Sequence, residues 1–458
     1  MIENDAFKLL LINLFHLNPD DITNIVCTTF NKMMVLLVTL ADKHQACPYC
    51  GFTAPKIKEY VTKEITHSAL TTQKCIIKYR ARRYKCSCCG KTYYEFNPFV
   101  FKSQKISILT VHNILKDLKD FNETFTSVAR RYHVSPTSVS TIFDNHVDIG
   151  RNPLPEIINF DEVYAFKSEK SKYVCVLLDF KKQIPVDVLP NRKKEYLLNY
   201  FQKIPLEERK KVKYACSDMY EVYRDVVHKV FPEAKHLLDY FHLSQDFHKK
   251  MNEVRIKVMK GYKDDKASDE YYLLKKFNWL LFKNPEDEDK YGRLFDVERE
   301  RKYNSHFKSY MNYYDLRKKL LEINNDLTIC YSLKLELVDF YSKSTIDNAK
   351  VNLENLIRSC IDTNIEEMIK FSNNLINWKQ EIINSFTIVG TEYKVEADKG
   401  QVVVCNKKVN NAIIENRNKI IKCIKNNANG YTNWLRFRNR VMYVLDPNAT
   451  FSLEPREK

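Results

Sequence analysis

The chain has 458 residues, 44% of them hydrophobic, which is too long for one core and predicts at least two folded domains. Its longest apolar run, MMVLLVTLA at 33–41, is shorter than the ~20 residues of a membrane span, and no secretory-signal pattern opens the sequence, so we expect a soluble intracellular protein. The thirteen cysteines are mostly scattered, which excludes a disulfide scaffold and makes any closely spaced cysteines candidates for metal binding.

The net charge of +16 is concentrated in two windows of the sequence. Residues 47–105 carry twelve Lys or Arg against three Asp or Glu, a balance of +9, and residues 407–440 carry nine against one, a balance of +8. Both windows alternate cations with aromatic side chains, as in RARRYKC and GYTNWLRFRNR, and this composition suits phosphate contact and base stacking. The pattern favours a nucleic-acid partner over two merely solvated basic faces.

The first hundred residues divide into a lead and a cysteine-rich segment. Residues 1–45 read as a helix followed by an apolar strand, and residues 46–104 alternate apolar and polar side chains around the turns CPYCG and CSCCG, which predicts β-hairpins. Two C-x-x-C pairs on hairpins can aim four thiolates at one tetrahedral Zn²⁺. We therefore predict a zinc ribbon with a structural zinc bound by Cys47, Cys50, Cys86 and Cys89. Four free thiols are the alternative, and Cys88 has no assigned role.

Residues 105–149 are predicted to form a helix-turn-helix DNA-binding unit. In TSVARRYHVSPTSVSTIFD (126–144), Val128 and Ala129 face inward on the first helix and His133 lies in the turn. Ser135 is a good N-cap and Pro136 a good first residue for the second helix. Thr137, Ser138 and Ser140 then face the DNA groove. A helical hairpin with no DNA-binding role is the alternative interpretation.

After the linker GRNPLPE (150–156), the pattern changes to that of a mixed sheet. Residues 156–245 contain three apolar strands and then a strand that alternates with helices, which predicts an α/β domain with helices on the faces of the sheet. Residues 246–385 are helical and charged, and we interpret them as a long helical insertion into that domain. Residues 386–445 are predicted to return to the domain with a helix and a basic aromatic tail.

Three acidic residues stand where metal-dependent chemistry is expected. Asp161 and Asp218 follow apolar strands, and Glu415 lies in a predicted helix at 409–425, on a face shared with Asn411, Lys408, Asn418, Lys419 and Lys422. Three such carboxylates can hold two Mg²⁺ ~4 Å apart for phosphodiester chemistry. A helix cap or a surface charge is the alternative role for each, Asp239 competes with Asp218, and Glu381 and Glu396 are alternatives to Glu415.

The ordered motifs resemble the ISL3 family of bacterial insertion-sequence transposases. The resemblance rests on CPYCG…RRYKCSCCGKTYYEF, ARRYHVSPTSVSTIF, NFDEVYAF, SDMYEVYRDVVHKVFPEAKHLLDYFH and NNAIIENRNKIIK…NGYTNWLRFRNRVMY, from Cys47 to Tyr443. It implies an RNase H-like catalytic domain with a DDE triad at Asp161, Asp218 and Glu415. It also implies a cytoplasmic, nucleoid-associated bacterial enzyme that binds the inverted repeats of its element as a homodimer in the synaptic complex.

The resulting functional prediction is a transposase that cleaves and joins DNA strands by Mg²⁺-dependent phosphoryl transfer. A non-catalytic DNA-binding regulator and a structure-specific nuclease, each with an RNase H-like body, are the alternatives. The residues expected to contact double-stranded DNA come from the ribbon, the second helix of the helix-turn-helix and the C-terminal window: Arg82, Arg83, Lys85, Thr137, Ser138, Ser140, Lys419, Lys422, Arg436 and Arg438.

Overall fold

The computed structural model describes residues 2–43, 46–68, 72–101, 104–166, 171–395 and 402–456. The chain begins with helix α1 (Ile2–Leu14), a 3-10 turn (Pro19–Asp21) and five strands: β1 (Ile22–Phe30), β2 (Met33–Leu40), β3 (Lys56–Thr66), β4 (Cys75–Lys85) and β5 (Thr92–Tyr94). They form one sheet in the order β1-β2-β4-β3, with β5 paired to β4. The predicted lead and the cysteine-rich segment therefore share a sheet, because β2 runs parallel to β4.

Strand β1 was not expected from the sequence. It pairs with β2 through a two-residue turn at Asn31 and Lys32, both of which have positive φ, 48° and 62°. Turns of this kind match the twist of an antiparallel pair but normally carry Gly. Buried and exposed residues do not alternate regularly along β1, so its sequence carries only a weak strand signal, and pairing with β2 stabilises the strand.

Three helices follow: α2 (Ile108–Asp117), α3 (Phe125–Arg131) and α4 (Pro136–His146). Two helices and a turn lie at the residues where the sequence predicts the helix-turn-helix unit. Val128 and Ala129 are buried, His133 has φ 55° in the turn, and the Ser135 hydroxyl accepts the Ser138 N–H at the start of α4. The short connection between α3 and α4 thus follows from capping chemistry that is local to the sequence.

The predicted mixed sheet is also confirmed. Its elements are β6 (Ile157–Val163), β7 (Val174–Asp179), β8 (Pro185–Leu189), α5 (Lys194–Gln202), α6 (Leu206–Arg209), β9 (Tyr214–Ser217), α7 (Glu221–Val230) and β10 (Lys235–Leu238). The strand order is β10-β9-β6-β7-β8, with β6, β9 and β10 parallel and β7 antiparallel to both its neighbours. The side chains of β7 and β8 are buried throughout, so both faces of the sheet are covered.

A helical segment with its own hydrophobic core comes next. It contains α8 (Tyr240–Lys260), α9 (Asp269–Lys276), a 3-10 helix (Asn278–Phe282), the small hairpins β11 (Glu288–Asp289) with β12 (Gly292–Arg293) and β13 (Lys302–Asn304) with β14 (Ser309–Met311), and then α10 (Tyr313–Glu322), α11 (Asn325–Lys343), α12 (Ala349–Asp362), α13 (Glu366–Asn377) and α14 (Lys379–Asn384). The hairpins break an otherwise helical segment, and α8 begins before residue 246. The strand expected in AKHLLDYF ends at Leu238, because Asp239 is the N-cap of α8.

The chain then returns to the mixed sheet. Hairpin β15 (Ile388–Val395) and β16 (Val402–Lys408) leads to α15 (Ala412–Asn427) and α16 (Trp434–Leu445). Both helices pack through Ile414, Ile421, Phe437 and Val441 on one face of the sheet, while α5 and α7 cover the other. Among the described residues, no helix combines the length and apolar character needed to cross a bilayer.

Candidate functional site

Four cysteine sulfurs converge at one end of the N-terminal sheet. The Sγ atoms of Cys47, Cys50, Cys86 and Cys89 all lie within 4.8 Å of one another. The separation is 3.7 Å between Cys47 and Cys89 and 3.5 Å between Cys50 and Cys86. Zn–S bonds of ~2.3 Å place the sulfurs of a tetrahedral site ~3.8 Å apart, so this set fits zinc. Cys88 is exposed and lies outside the set.

The two cysteine turns are built alike, which explains why their sulfurs meet. The Gly51 N–H donates to the Cys47 carbonyl at 2.9 Å, and the Gly90 N–H donates to the Cys86 carbonyl at 3.0 Å. Both glycines have positive φ, 74° and 68°, which a residue with a side chain rarely adopts. The Cys89 N–H bond to the Cys86 sulfur lowers the pKa of that thiol to about 7, which favours the thiolate that zinc requires.

A second constellation lies at the edge of the mixed sheet where its parallel strands end. Asp161 is near the end of β6, Asp218 follows β9 and Asp239 follows β10. Because these three neighbouring strands are parallel, their carboxyl ends meet at one edge of the sheet. Asp218 and Asp239, which the sequence presents as competing candidates, therefore both lie at this edge.

The carboxylate of Asp161 is only 9% exposed and is held at both oxygens. Its Oδ1 accepts the Glu162 N–H at 2.7 Å, and its Oδ2 accepts the Asn418 side-chain amide at 2.7 Å. Burial raises the pKa of Asp161 from 3.8 to about 7, the Glu162 N–H opposes this rise, and the charge of Asp218 adds to it. A nearby cation strongly stabilises the ionised form of such a buried carboxyl.

The pKa of Asp218 is raised in the same way, and its side chain has fewer contacts. Burial, followed by the charge of Glu162, raises the pKa of Asp218 to about 7, although Arg192 opposes the rise. Its Oδ1 is buried and has no hydrogen-bond partner among the described residues. Glu162 is itself ion-paired with Arg192. An unpaired buried carboxylate oxygen costs folding free energy, and a bound cation removes that cost.

Glu415 lies in the first turn of α15 and belongs to a compact group of possible metal ligands. One side-chain atom each of Glu415, Asp239 and His242 falls within 4.8 Å of the other two. Burial raises the pKa of Asp239, its electrostatic interaction with His242 opposes this rise, and the charge of Glu415 adds to it. Each acid thus raises the pKa of the next one along the edge: Asp239 raises the pKa of Asp218, and Asp218 raises the pKa of Asp161.

Three asparagines fix α15 against the sheet. The Asn159 side chain donates to the Asn411 Oδ1 at 2.7 Å and to the Asn410 carbonyl at 2.8 Å, and Asn159 and Asn411 are fully buried. Asn418, one turn beyond Glu415, donates to Asp161. These bonds place the helix that carries Glu415 beside the strand that carries Asp161.

Comparison with known proteins agrees with this geometry. Residues 158–397, more than half of the chain, match the family model described as transposase of the ISL3 type of DDE enzyme. The chain belongs to the ISL3 family of DDE transposases. It is also 19% identical, over 410 residues, to the transposase for insertion sequence element IS1001 of Bordetella parapertussis, with 89% of this chain and 90% of that protein covered.

The matched range of this ISL3-type transposase includes Asp161, Asp218, Asp239 and His242 and ends before Glu415. The assignment of Glu415 to the site therefore rests on its position beside Asp239 and His242. The alternative acid Glu381 is buried in α14 and lies 3.9 Å from His228, outside this cluster. Glu396 lies outside the described residues.

Several of the transposase's predicted DNA-contacting arginines are engaged within the chain. Arg82 pairs with Glu95 at 2.7 Å and donates to the Leu40 carbonyl, and Arg83 pairs with Glu59 at 2.6 Å. The structure thus favours a structural role for Arg82, whose side chain is 15% exposed, and DNA contact by Arg82 and Arg83 stays a prediction.

The two arginines of α16 are engaged in the same way. Arg436 pairs with Asp144 of the helix-turn-helix at 2.6 Å, and Arg438 pairs with Asp187 of β8 at 2.7 Å while donating to the Ile149 carbonyl. These bonds join α4 and the segment after it to α16 and the mixed sheet. The more accessible members of the predicted set are Lys85, Thr137, Lys419 and Lys422, which are exposed, and Ser138 and Ser140, which are half-buried.

Sequence analysis missed His242, although a signal for it exists. The D-x-x-H spacing of Asp239 and His242 at a helix start places both side chains on one face of the first turn. The predicted strand AKHLLDYF concealed this spacing, because it treated Asp239 as part of a strand and ended just before His242.

The raised pKa values of the transposase give a testable pH dependence. A carboxyl whose pKa is higher in the folded than in the unfolded state stabilises the fold fully below its unfolded pKa, and this contribution is lost as pH rises through about 7. In Mg²⁺-free buffer at pH 8, Asp218→Asn should therefore unfold a few degrees higher than the wild type, with a smaller difference at pH 5. Thermal unfolding without chelator, so that zinc is retained, measures this. Equal pH dependence in both proteins would refute the burial effect.

Proposed function

We propose that the protein is a catalytically competent transposase that binds the terminal inverted repeats of its insertion sequence and carries out Mg²⁺-dependent strand cleavage and strand transfer. The observation that carries the proposal is a run of buried, mutually repelling carboxylates, Asp161, Asp218 and Asp239, at one edge of the mixed sheet, with Glu415 within reach of Asp239 and His242. A regulator without catalysis has no use for an arrangement that costs folding free energy.

The body of the protein is proposed to be RNase H-like. Support comes from the strand order β10-β9-β6-β7-β8, in which three antiparallel strands are extended by two parallel ones. In this interpretation the helical segment from α8 to α14 is an insertion between the end of β10 and the hairpin that leads to the helix with Glu415. It has a separate hydrophobic core, which is consistent with an insertion that folds around its own helices.

The residues at the edge of the sheet fit Mg²⁺, because they offer carboxylate oxygens, among them a buried oxygen of Asp218 that lacks a protein partner in the described part of the chain. Asp161, Asp218 and Glu415 are the proposed ligands. When bound, the ions supply activation of the attacking oxygen and stabilisation of the leaving oxygen of the phosphodiester. Asn418 orients Asp161 through its 2.7 Å hydrogen bond, and Asn411 positions the start of α15.

DNA is proposed to reach this edge along the zinc ribbon and the helix-turn-helix. On the ribbon, cations lie over exposed aromatic rings, with Lys63 4.0 Å from the Tyr94 ring and Arg80 4.9 Å from the Tyr60 ring. Such pairs suit a phosphate backbone beside bases. The exposed residues Lys85 on the ribbon, Thr137 at the start of α4, and Lys419 and Lys422 on α15 are proposed as further DNA contacts. A homodimer is proposed for the synaptic complex.

Incubation of the full-length protein with a labelled duplex of the element end, a target plasmid and Mg²⁺ tests the function. We expect cleavage at the end of the element and covalent joining of the labelled 3′ end to the plasmid. A random duplex of equal length is the control. Cleavage without joining would favour the structure-specific nuclease, and specific binding without either reaction would favour the regulator; both results overturn the proposal.

A further inference from the structure

The first turn of α8 brings Asp239 and His242 together with Glu415, although only Glu415 belongs to the proposed triad. We infer that these three residues form a divalent-cation site of their own, distinct from the Asp161–Asp218 pair, and that its histidine makes it favour Mn²⁺ over Mg²⁺. The inference rests on the proposed function, since it assigns the ligands of the second metal ion of the same catalytic edge.

The first support is the state of the ligand atoms. Asp239 is 3% exposed, and its Oδ2 has no hydrogen-bond partner in the described residues. The same is true of the buried Nε2 of His242. The two atoms are 3.9 Å apart, too far for a hydrogen bond with each other. Two buried polar atoms that face each other at this distance, with a Glu415 oxygen also in reach, are satisfied together by one ion between them.

The second support is that Asp239 and the start of the helix that carries Glu415 are held in place by contacts elsewhere. The other oxygen of Asp239, Oδ1, accepts the Asn411 N–H at 3.4 Å, which ties the start of α8 to the start of α15. Asn411 is in turn fixed to β6 by the Asn159 side chain. The polar contacts on Asp239 thus position its carboxylate and leave Oδ2 directed at His242. A site whose ligands are oriented by further hydrogen bonds is typical of metal centres.

The ligand types determine the preference among ions. Mg²⁺ is bound almost entirely by oxygen, whereas an imidazole nitrogen suits transition ions. Two carboxylates and one imidazole therefore favour Mn²⁺ over Mg²⁺ more strongly than the Asp161–Asp218 pair does. Mn²⁺ suits such a mixed set, because it is a transition ion that also accepts oxygen ligands readily.

The chain supplies a matched control pair. His228 and Glu381 are also a histidine and a carboxylate 3.9 Å apart, and Glu381 is 4% exposed. This pair has no third ligand in the described residues, and the His228 side chain is 56% exposed, so water serves its ring nitrogens. It tests whether a histidine and a carboxylate at this distance are sufficient by themselves to bind Mn²⁺.

The experiment is a titration of the zinc-loaded, full-length protein with Mn²⁺, in which the free ion is counted by electron paramagnetic resonance in the absence of DNA. His242→Ala should weaken Mn²⁺ binding by at least about tenfold, as should Asp239→Asn, which retains the shape of the side chain. Mg²⁺ should compete for the His242 site less well than for the remaining site. His228→Ala and Glu381→Gln should bind Mn²⁺ as the wild type does.

Wild-type Mn²⁺ binding by a folded His242→Ala protein would overturn the inference, as would loss of binding in Asp218→Asn without loss in His242→Ala. If His242→Ala does not fold, as judged by circular dichroism, Asp239→Asn and His242→Gln give the same readout. Strand joining is measured separately. A Mn²⁺ site that depends on His242 in a protein that joins no strands would refute the proposed function alone, and normal joining with no such site would refute this inference alone.

Discussion

Glu415→Gln should reduce strand cleavage at an element end by about a thousandfold or more while leaving binding to that end intact. The substitution keeps the size of the side chain and removes the charge that lies beside Asp239 and His242. Glu415 is only half-buried in the first turn of α15, so the loss of its charge should not unfold the protein. Cleavage of a labelled duplex in Mg²⁺ and in Mn²⁺, with binding followed by gel shift, measures both effects.

Asp161→Asn and Asp218→Asn should reduce cleavage to a similar residual level, and combining either with Glu415→Gln should add little, because residues that act as one unit fail together. Glu381→Gln is the control, since Glu381 is buried in α14 beside His228 and apart from the cluster. Near-normal cleavage by Glu415→Gln, or abolished cleavage by Glu381→Gln, would show that the third catalytic acid does not lie on α15.

Removal of one zinc ligand should abolish metal binding and end-specific DNA binding together. We expect one zinc per chain by elemental analysis and none in Cys86→Ser or Cys89→Ser. In a module of this size the free energy of metal binding, about 10 kcal/mol for small zinc domains, is largely folding free energy. The cysteines Cys47 and Cys86 pack with Tyr84 and Tyr93 of β4 and β5, so loss of the ion should disorder this end of the sheet.

Cys88→Ser is the matched control for that experiment. Cys88 lies in the same turn, yet it is exposed and outside the group of four sulfurs. The variant should retain both zinc and end binding. Release of the metal by Cys88→Ser, with retention by Cys89→Ser, would show that the ligand set is wrong.

Local sequence was sufficient to predict the structure wherever neighbouring residues alone define the backbone conformation. The turn between α3 and α4 is an example, because Ser135 caps the next helix and Pro136 fits only its first turn. The cysteine turns are another, since Gly51 and Gly90 supply the backbone conformation that folds each pair of thiols together. The paired spacing then predicts the zinc site, although the pairing of β2 with β4 was not foreseen.

The positive charge of the C-terminal window was interpreted less completely. Residues 407–440 carry a balance of +8, but charge counting cannot show which cations have partners distant in sequence. Arg440 is 1% exposed and donates to the carbonyls of Asp120 and Glu123. Together with Arg436 and Arg438 it joins the segment from α2 to α4 to α16 and the mixed sheet, so several cations of this window make contacts within the chain.

The sequence by itself determined the nature of each module: the cysteine turns, the capped helices, the alternation of strands and helices, and the acids at strand ends. These features depend on neighbours within a few residues, where capping and periodicity act. Only the tertiary structure decided that Glu415, nearly two hundred residues beyond Asp218, lies with Asp239 and His242. That contact depends on how β10, α8 and α15 pack at one sheet edge, because the buried bonds of Asn159, Asn411 and Asn418 join segments that no local pattern connects.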